Sequence, residues 1–201
     1  MATTLRIFAV LLVSIFLLNC ASFSNKTFKN DYNKMNSETV LSINGKYSFF
    51  PIKKFDRKKE HSNLESLKKY INSYNYMTNE IVKFTDLDST LNGLHFYHLE
   101  LILTNNNTLN LELFKNNKSV KKQQIKGELK KDGMFYLDNK FLECNGIPYL
   151  FGGCQNNKRR IAVSKENNLI INEAVCNEGA LLLFIAAGVS YNSAYEFKRL
   201  E

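Results

Sequence analysis

The chain has no tryptophan, and its 201 residues include only two prolines, nine glycines, four cysteines and three histidines. So little proline and glycine excludes collagen-like and proline-rich spacer architectures. The cysteines form no CxxC pair and have no histidine beside them, so no zinc site is expected. Serine-elbow, HExxH, phosphate-loop and dinucleotide glycine patterns are all missing. No catalytic residue, metal or cofactor is therefore assigned, and the expectation is a protein that is not an enzyme. The basic residues lie in scattered clusters with no helix-turn-helix, RRM or zinc-finger pattern, which disfavours nucleic acid. What is abundant is asparagine (26) and lysine (22), on a formal net charge of +8. That pair reads as codon bias before it reads as function. Hydrophobic residues make up 44% and charged residues 23%, enough apolar material for one domain with a core.

The N-terminus is an address. Arg6 precedes an apolar run from Ile7 to Leu18 broken only by Ser14. A dozen helical residues rise about 18 Å, short of the ~30 Å hydrocarbon core, so the run suits the h-region of a secretory signal. Leu17-Leu18-Asn19-Cys20 then resembles a bacterial lipobox, with Asn19 where the usual pattern has Gly, Ala or Ser. The resemblance implies cleavage before Cys20 and lipidation of its sulfur, with acyl chains giving stable anchoring at about 0.8 kcal/mol per buried CH₂. The expected organisation is a signal over residues 1–19, a lipidated Cys20 with a flexible polar tether to residue 39, and one β-rich domain over 40–201. A conventional signal and a soluble secreted protein form the alternative.

Beyond Cys20, three cysteines leave at least one unpaired. Cys144 and Cys154 flank NGIPYLFGG, which can turn back and bring them within bridging distance. Ser62 and Glu65 make a capping box for one early helix over about 62–74. From about Glu80 the pattern turns to strands. LHFYHLELIL and TLNLELFK flank Thr104–Asn107, and Leu109, Leu111 and Leu113 share one face. Short strands continue to the C-terminus, punctuated by Lys131-Asp132-Gly133, Gly152-Gly153 and Asn167-Asn168. Ala180–Val189 reads as the most buried of them. The expected fold is mostly β, an antiparallel meander closing into a barrel or sandwich, which removes sticky edges. His95 and His98 fall on opposite faces of a strand, and Asp86 and Asp88 belong to a solvated loop, so neither pair builds a site.

Gly45-Lys46-Tyr47 in the first strand, the meander after it and a lipid-bearing Cys ahead of a tether resemble the lipocalin-like lipoproteins of Gram-negative bacteria. Tyr47 stands where that family has Trp. The resemblance implies a cup for a small apolar ligand, with Tyr47, Phe96, Leu111 and Phe135 inside. Lys158, Arg159 and Arg160 offer a basic contact. The expected protein is thus a lipoprotein of the bacterial envelope, on the periplasmic face of the outer membrane. It would bind a small hydrophobic ligand or another envelope protein; the alternative is a structural or assembly factor without a ligand cavity. Substituting Cys20→Ala is expected to abolish metabolic labelling with palmitate, and labelling that survives contradicts the lipidation.

Overall fold

The computed structural model describes residues 21–55, 71–78, 93, 96–147, 151–181 and 185–201. Among the described residues there are ten strands: β1 (Tyr32–Asn33), β2 (Gly45–Ser48), β3 (Lys53–Lys54), β4 (Tyr97–Thr104), β5 (Thr108–Lys115), β6 (Lys118–Leu129), β7 (Phe135–Ile147), β8 (Phe151–Ser164), β9 (Leu169–Leu181) and β10 (Ile185–Phe197). A 3₁₀ turn covers Val40–Ile43, and helix α1 covers Ser73–Thr78. Most of the helix expected over 62–74 lies outside the described residues.

The strands pair antiparallel in the order β2-β4-β5-β6-β7-β8-β9-β10-β3, with β1 beside the end of β8. From β4 to β10 this is a meander, as tight turns demand. Asparagine makes the turns possible, because it tolerates the left-handed region. Asn105, Asn106, Asn116, Asn117 and Asn167 all have positive φ.

Alternation puts one residue in two on a common inner face. Leu99, Leu101, Leu109, Leu111, Leu113, Phe135, Ile161 and Ile171 on that face join Tyr47, Tyr74 and Met77 in one core. At the β6–β7 crossing Gly127 is needed for approach, since a Cβ there would lie 2.5 Å from the Phe135 ring.

The expected closure into a barrel is not realised. The path of strand ladders runs open from β2 to β3. The β2 end meets the residues that follow β10 along a short seam of one bridge, Tyr47–Arg199, and single backbone bonds such as Ser48 N to Lys198 O (2.8 Å) and Leu200 N to Lys46 O (2.8 Å). Arg199 staples this seam by donating to Asn44 O (2.6 Å), Asn167 O (2.8 Å) and Tyr47 Oη (2.6 Å). Burial pushes the Tyr47 phenol up to about 12 despite the adjacent guanidinium, so it stays a donor, to Ile43 O at 2.7 Å.

Two sequence expectations are corrected. Residues 21–39 are not a loose tether: Phe28 and Tyr32 are buried with Phe55, Met134, Ala162 and Ile170 on the outer face of the sheet. Gly133 (φ 78°) permits this docking, because a Cβ would lie 2.7 Å from Lys34, and Gly133 O accepts from Met35 N at 3.0 Å. Nor is Ala180–Val189 the most buried strand. Leu181 pairs with Ile185, so the apolar run straddles a reversal, and Val189 is 63% exposed.

Leu111→Ala is expected to lower the unfolding free energy by about 2–5 kcal/mol, whereas Phe96→Ala stays within ~0.5 kcal/mol. Urea titration of both variants checks this; equal losses would contradict the assignment of faces.

Candidate functional site

Four strands, β7 to β10, outrun the core and form an arm. Their first rows carry apolar residues inward; the row shared by Leu137, Arg159, Glu173 and Ser193 places a charged pair there, and the next inner row, Phe141, Asn157, Val175 and Tyr191, is mixed. Arg159 ion-pairs with Glu173, both buried. Beside them Tyr76 Oη meets Ser193 Oγ at 2.6 Å, and the Tyr76 ring stands edge-on to Tyr195 at 5.1 Å. Burial raises the Glu173 carboxyl above the ordinary range, and the Arg159 charge only partly offsets it. Burial, then the Glu173 charge, raises Tyr76 well above the usual phenol.

Arg160 points the other way. Its Nε donates to Asn172 Oδ1 (2.8 Å), and its Nη1 donates to Asp132 Oδ2 and Tyr136 Oη (both 2.8 Å). The Phe23 ring lies over this guanidinium at 4.5 Å and edge-on to Tyr136 at 5.2 Å. Arg160 therefore clamps the N-terminal segment. The basic contact expected at Lys158, Arg159 and Arg160 is corrected accordingly: neighbours on a strand face opposite ways, both arginines are buried and ion-paired, and Lys158 alone is partly exposed.

Tyr47, Leu111 and Phe135 meet in the core as inner-face residues. Phe96 does not join them and is 56% exposed. It precedes Tyr97, whose inward turn fixes Phe96 and His98 outward, where the His98 imidazole stacks on Phe114 at 4.8 Å. His95, Asp86 and Asp88 lie outside the described residues, as does Cys20. Among the described residues no group of three or more His, Cys, Asp or Glu could hold a metal.

At the root of the arm, where β6 parts from β7 after three paired residues, a surface cleft of about 560 Å³ opens. Lys126, Lys130, Lys140 and Lys158 line it with Glu128 and Asp138, and Ala21 and Phe23 form one wall. Further out, Cys144 and Cys154 are direct cross-strand partners and are bonded to each other. Cys176 is buried on the next strand, where its Sγ donates to Glu178 Oε1 at 3.0 Å. The residues missed by sequence reasoning are Phe23, Phe28 and Tyr32. Their aromatic character in a polar stretch was the available signal.

Comparison with protein-family models, curated proteins and solved structures finds no match for the chain.

Breaking the buried pair with Glu173→Ala is expected to cost about 3–5 kcal/mol, whereas the apolar pair Arg159→Met with Glu173→Leu recovers most of it. Denaturant midpoints of the three proteins measure this, and a silent Glu173→Ala would mean that the pair is solvated.

Proposed function

We propose that the protein is a non-catalytic, lipid-anchored protein of the bacterial envelope that serves as a structural or assembly factor, holding a protein partner rather than a small ligand. The observation that carries this reading is the state of the inner face. Tyr47, Leu111 and Phe135, the side chains a ligand cup would expose to its interior, are 0–1% accessible. A side chain facing an interior space wide enough for water keeps accessible surface, so these three side chains are packed against neighbours rather than facing a cup.

Two further features support it. The Cys144–Cys154 disulfide suits an oxidising compartment outside the cytoplasm. The docked segment from Phe23 to Met35 fixes the body relative to the point where an anchor at Cys20 would enter. An anchored body with a fixed orientation presents the same surface to every partner. The lysine-lined cleft at the arm's root and the arm itself are then the surfaces available.

Native mass spectrometry of the lipidated chain, extracted gently from its own membrane, tests the choice. The expected spectrum shows the chain with its covalent lipid and no further small hydrophobe. A removable adduct of a few hundred daltons would instead favour the ligand-binding cup.

A further inference from the structure

We infer that the far end of the β7–β10 arm dips into the lipid bilayer that holds the N-terminus, giving the protein a second, non-covalent membrane contact. This rests on the anchored reading above and deepens it.

The first observation is the juxtaposition of four apolar strand ends. Ile147 pairs with Phe151, Phe151 with Leu181, and Leu181 with Ile185, so the described ends of the four strands lie side by side on one level of the sheet. The second is charge. Residues 144–157 and 179–195 contain no Asp, Glu, Lys or Arg, although the chain as a whole is 23% charged. Glu178, paired with Cys154 and Gly188, is the last charged residue before the end of the arm. About three further residues on each strand, roughly 10 Å, lie beyond it. That is the depth at which interfacial elements sit, and well short of a span.

The third observation identifies the occupant as a bilayer. Followed backwards, the N-terminal segment runs toward the arm's end. Phe23 packs at Tyr136 and Arg160, Ser22 O accepts from Asn192 Nδ2 at 2.9 Å, and Ala21 is buried with Ala174 and Cys176. Cys176 lies about two residues, ~7 Å, from Glu178 along the strand. The residue after the lipidated cysteine is thus held near the border of the uncharged end. Acyl chains entering a membrane there bring the four strand ends to the same surface. A bilayer needs no complementary charge, and the end offers none.

The absence of native tryptophan makes the test direct. Full-length chains carrying Phe151→Trp or, on the body, Leu41→Trp are reconstituted in phosphatidylcholine vesicles with and without brominated acyl chains. Leu41 lies in the 3₁₀ turn, half exposed, beside the β2–Arg199 seam. Brominated lipid is expected to quench Phe151→Trp several-fold more than Leu41→Trp, with blue-shifted emission only in the former. Should Phe151→Trp not fold, Ile185→Trp reports from the same level. Emission that acrylamide quenches from the aqueous side overturns the inference. So does a shielded tryptophan untouched by bromine, which means that a second copy or another protein covers the end. Both leave the anchored reading standing while the chain stays in washed vesicles; release of the whole chain from them overturns that reading and this inference together.

Discussion

The alternation of apolar and polar residues along the strands, and the row at which it stops, governs the rest of this molecule. While every second residue is apolar, as in Leu109, Leu111 and Leu113, the sheet has one face that must be buried, and it curls around a shared core. At the row of Arg159 and Glu173 a charged pair replaces apolar inner residues, and the next row mixes Asn157 with Phe141, Val175 and Tyr191, so the pressure to curl weakens. The strands nevertheless continue, because the ladders of β7 to β10 remain paired to Ile147, Phe151, Leu181 and Ile185. Backbone bonding and one disulfide hold together what apolar burial no longer does. The change from core to arm is thus written in the inner-face residues of four strands.

The N-terminal segment depends on the same sheet from the other side. The outer face over Ala162, Ile170 and Ala194 is made of small or aliphatic residues, and Phe28 and Tyr32 cover it. Arg160 reaches the same face and sits under Phe23, its charge balanced by Asp132. A buried guanidinium without that partner would be costly, so the clamp and the turn carrying Asp132 act as a unit. Gly133, in the same turn, leaves room for Lys34 to pass. The segment from Phe23 to Met35 is therefore part of the fold.

How much of this could be read in the sequence follows from the same physics. The β4–β5 hairpin was legible in its turn and its inner leucines, which alternate and are joined through asparagines. Further on the sequence reads as short strands, although β7, β8 and β9 each run for 13 or 14 residues. Alternation is a signal of one-sided burial, so it vanishes where the arm has no core beneath it. Lys158-Arg159-Arg160 read as a basic surface because a run of charge in sequence hides the opposite facing of neighbours. The docked N-terminal residues escaped for a third reason: Phe23, Phe28, Tyr32 and Met35 have no common period, being irregular backbone laid across an existing face. Of the candidate cup, Tyr47, Leu111 and Phe135 were legible as inner residues, while Phe96 was misplaced by a single position.

Amide hydrogen exchange over residues 25–35 of the full chain tests the central claim, that the segment leading into the body is rigid. Phe28, Asp31 and Met35 each donate a backbone hydrogen bond, to Asn25, Phe28 and Gly133 at 3.0 Å. The account predicts protection across these residues of the same order as in β8, lost only with opening of the sheet. Exchange at the rate of an unstructured chain, with β8 still protected, would contradict it and return residues 21–39 to the role of a tether.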